Sequence, residues 1–279
     1  MPFRDVGSLC IYQFESLLHP DLVHGISTRR GGVSPHPWQS LNVGSTVGDD
    51  PPRVAENRRR FLAELGRDPQ SVAEVWQVHS AKVFLAEPFV PTDGIRRASP
   101  GGAAAEQPHH QRPLEQADIL VTDSPHVTLL MRFADCVPIL LFDPVRGAVG
   151  MAHAGWLGTV RKAAAAAVRA LRDHFGCRPV DIIAGIGPSV GPHEYPVGPE
   201  VVDQVREAFG ASAEQHLLRE NGSVAFDLWS ANRELLAESG VASIEVAGIS
   251  TAANLADWYS HRAEGGKTGR FGAMIALAG

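Results

Sequence analysis

Apolar positions along the chain switch between a period of two and a period near three and a half, and the switches predict the order of elements. Residues 22–27 form a short strand-like run. Residues 28–50, rich in Gly, Ser and Pro, read as a long loop. A helix fits 51–65: Asp50 is an N-cap type, Pro51 suits the first turn, and Gly66 suits the stop, with Val54, Phe61 and Leu65 on the buried face. Runs at 72–78 and 81–86 read as strands. The segment 101–116 (GGAAAEQPHHQRPLEQ) is polar and punctuated by Gly and Pro, which predicts an exposed loop.

Four runs then follow closely: ADILVTD, HVTLLMR, VPILLFD and GAVGMAH. Their nearly continuous apolar character predicts strands covered on both faces. In 156–175, Val160, Ala164, Val168, Leu171 and Phe175 recur at three- and four-residue steps, and Gly176 closes the helix. A strand at 181–185, helices at 199–209 and 228–238, and strands near 244–247 and 273–277 complete the pattern. No internal repeat or linker interrupts it, so the expectation is a single α/β domain over residues 1–279.

Composition changes this picture little: 44% of residues are hydrophobic and 20% charged, as in ordinary globular proteins. A net charge of −6 gives no electrostatic reason to expect nucleic acid or an anionic membrane as partner. No apolar run approaches the roughly 18 residues of a membrane span, and Met1-Pro2-Phe3-Arg4-Asp5 lacks the basic start of a signal peptide. A cytoplasmic protein is expected. Cys10, Cys136 and Cys177, odd in number and far apart, do not form a disulfide framework.

His79, Cys136 and His153 carry the candidate chemistry. Each lies at the edge of a strand-like run, where α/β proteins assemble sites. Two imidazoles and a thiolate match zinc, and three ligands leave a fourth position open for water or substrate. Spacings of 57 and 17 positions do not force the three together (136 − 79 and 153 − 136). Two alternatives stay open: Cys136 as a buried core cysteine beside satisfied histidines, or Cys136 as a nucleophile with a histidine base.

Several segments make the chain resemble the YfiH/YlmD family of laccase-domain or polyphenol oxidase proteins. They are Ser27-Thr28-Arg29-Arg30-Gly31-Gly32, Ser40-Leu41-Asn42-Val43-Gly44, Gly48-Asp49-Asp50, Asn57-Arg58, Gln77-Val78-His79 and Ala117-Asp118. Ala134-Asp135-Cys136-Val137-Pro138, His153-Ala154-Gly155-Trp156, 187–192 with Tyr195, Val197-Gly198, and Thr268-Gly269-Arg270 continue the series in order. The resemblance implies zinc on His79, Cys136 and His153, and a fold of mixed β-sheets packed as a sandwich with flanking helices. It also implies purine nucleoside chemistry: phosphorolysis of adenosine, inosine and methylthioadenosine, and deamination of adenosine. Alternatives are an amidase that edits serine out of a peptidoglycan precursor and a non-catalytic metal-binding partner protein.

Within that reading Asp135 is the candidate proton-transfer carboxylate. Arg29, Arg30 and Arg270, with Gly31-Gly32, are candidates for holding phosphate, against a bland reading as solvated charges. Asn42 is a candidate substrate contact, unless it, Asp49 and Asp50 cap or staple the loop; for Asp50 the N-cap role is preferred. Trp156 has packing as its simpler role. Copper is expected to bind in vitro, but multicopper oxidation is disfavoured because the 12 histidines are scattered. The chain departs from the family at Phe133, Leu157, Ser250-Thr251 and 260–263. Leu157 stands where the family has arginine, which puts phosphorolysis most in question.

Overall fold

The apolar runs of the middle third are buried on both faces because two sheets stack and helices cover the outside. The computed structural model describes residues 2–88, 114–220 and 222–279. Its strands are Phe3–Val6 (β1), Leu9–Tyr12 (β2), Leu22–Ser27 (β3), Val72–Ala73 (β4), Val83–Leu85 (β5), Ile119–Thr122 (β6) and Thr128–Phe133 (β7). Val137–Asp143 (β8), Ala148–Ala154 (β9), Ile183–Ile186 (β10), Leu217–Glu220 (β11), Ser223–Phe226 (β12), Ser243–Val246 (β13) and Phe271–Leu277 (β14) follow. The α-helices are Pro51–Glu64 (α1), Trp156–Val160 (α2), Ala163–Phe175 (α3), Pro199–Phe209 (α4) and Leu228–Glu238 (α5).

One sheet has the order β1-β2-β3-β14-β7-β4 and the other β13-β10-β8-β9-β6-β5, while β11 and β12 form a hairpin. Both large sheets are mixed. β4 runs parallel to β7 at one edge, and β13 and β5 run parallel to their neighbours at the two edges of the other sheet. Alternation along the strands explains the layers. Leu129, Met131 and Phe133 of β7 meet Leu140 and Phe142 of β8 in the cluster between the sheets. Ile139 and Leu141 point the other way, onto Ala164, Val168 and Leu171 of α3. Leu130 and Met274 pack under Phe61 and Leu62 of α1. The result is a mixed α/β fold of helix, sheet, sheet and helix layers.

Several predicted boundaries shift, each for a local reason. The helix expected over 156–175 is two helices, separated where Lys162 takes a left-handed conformation (φ 61°). The run expected at 72–78 pairs only over Val72–Ala73, and after it Trp76 bridges to Gln116. At α1, Asp50 occupies the N-cap position without a side-chain cap bond; its carboxylate lies 3.6 Å from Arg53 instead. Asn57 and Leu62 complete the buried face of α1, whereas Leu65 is only partly buried. The start of the run at 181–185 is a 3-10 turn, Pro179–Asp181. β1, β2, β11 and β12, four residues each, are too short to print a period. Of the loop expected at 101–116, residues 101–113 lie outside the described residues, and 114–116 are exposed. No helix among the described residues is long and apolar enough to cross a membrane.

Leu140 is fully buried between the sheets. Leu140→Ala is expected to lower unfolding free energy by about 2–5 kcal/mol, read as an earlier urea midpoint at unchanged slope. An unchanged midpoint would contradict the dry inter-sheet layer.

Candidate metal centre

The site is built around Asp118, the residue before β6. Its fully buried carboxylate accepts hydrogen bonds from the main-chain N–H groups of Val78 (3.2 Å), His79 (3.0 Å) and Ser80 (2.6 Å). The Ser80 hydroxyl (2.7 Å) and the His153 Nδ1–H (2.8 Å) complete its partners. Burial alone would raise this carboxyl, but the donors from His153 and Ser80 outweigh it and hold the pKa at about 2. One ionised group thus fixes the 78–80 turn and the end of β9. With Nδ1–H donated to the carboxylate, the second ring nitrogen of His153 is the one able to give a lone pair to a metal once its proton is lost.

His79 sits in the turn with a left-handed backbone (φ 58°), and its carbonyl accepts from Arg161 at 2.9 Å. That contact comes from the break between α2 and α3. Cys136 enters from the other side, at the start of β8, after Asp135 with φ 84°. Cys136 Sγ lies 3.8 Å from His79 Nε2, and the ligand atoms of His79, Cys136 and His153 all lie within 4.8 Å of one another. Gly155 permits this approach. A Cβ there would stand 2.7 Å from Cys136 Sγ and 3.2 Å from His79 Cδ2.

Burial opposes ionisation of the Cys136 thiol, yet His153 and His79 overcome it and bring the pKa down to about 6. Burial likewise opposes a proton on His153, but the Cys136 thiolate and Asp118 raise it to about 9. The metal-free site is therefore a thiolate–imidazolium pair backed by a carboxylate. A field that holds a proton between His153 and Cys136 also favours a cation held by the same atoms. The donor set fits one metal ion with an open side. Among the described residues it is the one group of at least three His, Cys, Asp or Glu side chains arranged to do so. A multicopper assembly has no second cluster there to use.

The triad opens into a cavity of about 380 Å³ whose lining includes Arg132, Asp135, Arg262 and Arg270. Arg270 is anchored by its Nη1 to the carbonyls of Thr268 (3.1 Å) and Gly269 (2.8 Å). Arg132 Nη2 donates to the Val75 carbonyl at 2.9 Å, and its main chain is clamped at both N–H and C=O by the Gln77 amide. Arg262 Nη1 donates to the Pro196 carbonyl at 3.1 Å, and its guanidinium lies 4.8 Å from the Tyr195 ring centre. None of the three guanidiniums has a carboxylate within ion-pair distance among the described residues, unlike Arg29, Arg30 and Arg58, although Asp135 takes the Arg262 main-chain N–H and, from farther off, Asp135 and Glu264 act on Arg270 and Glu74 on Arg132.

The other residues singled out from the sequence fall in two groups. Arg270 and Asp135 share the cavity with the triad. Arg29 and Asn42 are not among its lining residues. Arg29 donates to the carbonyls of Gln39, Leu255 and Trp258, pairs with Glu264 and covers the Tyr259 ring at 4.4 Å, so its Nε and Nη1 anchor the loop. Arg30 pairs with the Asp257 carboxylate. Asn42 is fully buried and bonded to Gly44, Asp49 and the Arg270 N–H, which corrects its reading as a substrate contact in favour of the staple. The Asp135 carboxylate accepts from Thr251 Oγ1 (2.7 Å) and the Arg262 N–H (2.6 Å). Trp156 packs against the apolar cluster beneath the helices and also lines the cavity. Arg132 escaped sequence reasoning because it ends an apolar strand run, and Asp118 was legible only as part of a motif.

The family model described as multi-copper polyphenol oxidoreductase laccase matches residues 23–278. The chain is 37% identical over 254 residues to a purine nucleoside phosphorylase of Deinococcus radiodurans, covering 91% of this chain and 88% of that protein. It is 35% identical over 260 residues to the purine nucleoside phosphorylase YlmD of Bacillus subtilis, with 92% and 89% covered. The crystal structure of YlmD from Geobacillus stearothermophilus superposes with a TM-score of 0.87 at 32% identity, covering 100% of this chain and 99% of that one.

Asp118→Asn is expected to weaken metal binding about 10–100-fold, measured by competition with a chromogenic chelator; full affinity would remove the carboxylate from its supporting role. Metal uptake at pH 8 is expected to release one proton from His153, because Cys136 (about 6) has already lost its proton while His153 (about 9) still carries one. Calorimetry in buffers of differing ionisation enthalpy counts the proton, thiolate absorbance of the metal-free protein shows which group held it, and a Cys136 thiol still protonated at pH 8 would disprove the thiolate–imidazolium pair.

Proposed function

This chain belongs to the YfiH/YlmD family, and on that premise we propose that it is a zinc-dependent purine nucleoside phosphorylase. The observation that carries the proposal is the placement of a His/Cys/His metal cluster and three guanidiniums without carboxylate partners in one cavity. Guanidiniums left partly desolvated and unpaired are stabilised by a bound anion, and their forked donors match phosphate. A cavity of about 380 Å³ is in the range that encloses a nucleoside-sized ligand.

Zinc fits the donors. A tetrahedral centre with Zn–S near 2.3 Å and Zn–N near 2.0–2.1 Å sets ligand atoms roughly 3.5 Å apart, close to the 3.8 Å between Cys136 and His79. When bound, zinc supplies Lewis-acid stabilisation of negative charge at its open position. The chain's residues do the rest. Arg132, Arg262 and Arg270 bind phosphate and hold one of its oxygens towards the anomeric carbon. A C–O bond to that carbon forms as the glycosidic C–N bond breaks. The electron pair leaves with the purine, which takes up a proton, and the products are free base and pentose 1-phosphate.

Adenosine deamination draws on the same metal cluster but needs a proton carrier. Both Asp135 oxygens are already engaged, so the anion site supports phosphorolysis more directly.

The test supplies inosine, adenosine and methylthioadenosine to protein of measured zinc content, with and without phosphate. Free base and pentose 1-phosphate should form only with phosphate, and absence of both from every nucleoside sinks the proposal. Arg270→Ala is expected to raise KM for phosphate by about 10–100-fold while leaving zinc content unchanged. An unchanged phosphate KM would remove Arg270 from the anion site.

A further inference from the structure

Trp76 is an unusual wall for a cavity. It is 45% exposed, belongs to no apolar cluster, and makes no ring contact or side-chain hydrogen bond among the described residues. An indole standing free at a cavity wall offers a large apolar face on which a planar ligand can stack. Its main chain is nevertheless held firmly. The N–H donates to the Glu115 carbonyl at 2.9 Å, and the carbonyl accepts from Ala117 N–H at 3.2 Å. The next residue, Gln77, clamps Arg132, and His79 follows two positions later. One segment thus carries an aromatic face and a candidate metal donor into the cavity, and its Gln77 ties it to Arg132 of β7, which lines the same space.

We propose that Trp76 is the base platform of the site: the purine ring stacks on its indole, which sets the preference for nucleosides over base-free pentoses. This rests on the nucleoside reading above. A purine offers a π-face of matching size whatever its exocyclic groups, so the platform favours purines as a class rather than one member. The indole Nε1–H remains available as a donor to a ring nitrogen or oxygen.

The experiment titrates zinc-loaded full-length wild type, Trp76→Ala and Trp76→Phe with inosine and with ribose by calorimetry in the absence of phosphate. Phosphorolysis of inosine is followed in parallel. Trp76→Ala should weaken inosine binding and raise its KM about tenfold. Ribose binding, phosphate KM and zinc content should stay unchanged, and Trp76→Phe should recover most of the loss. Inosine affinity equal to wild type in Trp76→Ala, or equal losses for inosine and ribose, overturns the platform even if the wild type is a competent phosphorylase. A wild type that binds inosine through Trp76 yet forms no pentose 1-phosphate overturns the phosphorolysis reading and leaves the platform standing. A wild type that binds no nucleoside overturns both.

Discussion

Everything at the metal cluster depends on one buried carboxylate. Asp118 gathers five hydrogen bonds from the 78–80 turn and from His153, and so joins a loop beside one sheet to a strand of the other. A carboxylate without those donors would be expelled from such a position, since an unpaired buried charge costs several kcal/mol. The electrostatic consequence reaches the third ligand: Asp118 supports a proton or a metal on His153, and His153 in turn holds Cys136 as a thiolate.

The sandwich makes this possible by being rigid where it ends. β8 starts at Val137, immediately after the Cys136 ligand, and β9 carries His153 through its last residues, paired in register with Pro138. The inter-sheet layer fixes these strands, so the ligand positions are set before any ion arrives. What the sheets cannot supply is the sharp approach of three segments. That is met by left-handed backbone at His79 and Asp135 and by the absence of a side chain at Gly155. Strain and packing are therefore divided: the core stores order, and the loops spend it at the ligands.

The sequence made the core legible because its period survives in the fold. The central strands β7, β8 and β9 and the amphipathic α3 fall where the apolar runs lie. The break at Lys162 was hidden, because Val160 and Ala164 keep helical spacing across it and only the tertiary bond from Arg161 to His79 shows why the chain turns. The same holds at the site. His79, Cys136 and His153 stood out by residue type, while their meeting is a long-range fact that no spacing encodes. Arg29 looked like an anion ligand by its motif, yet Glu264 and three carbonyls occupy its Nε and Nη1. Arg132 looked like the polar end of a strand and lines the cavity. Residue type predicts capacity; whether a partner has already taken that capacity depends on the fold.

The leucine at position 157 sharpens this point. Loss of an arginine after the HAGW motif would empty an anion site built from one residue. Here the cavity draws guanidiniums from β7, from the segment before β14 and from the loop at 262, and Leu157 is not among its lining residues. Each guanidinium is anchored to main-chain carbonyls of a different segment, so losing one cation elsewhere does not loosen the others. The three guanidiniums have separate supports and none leans on position 157, whereas His79, Cys136 and His153 share theirs at Asp118 and Gly155.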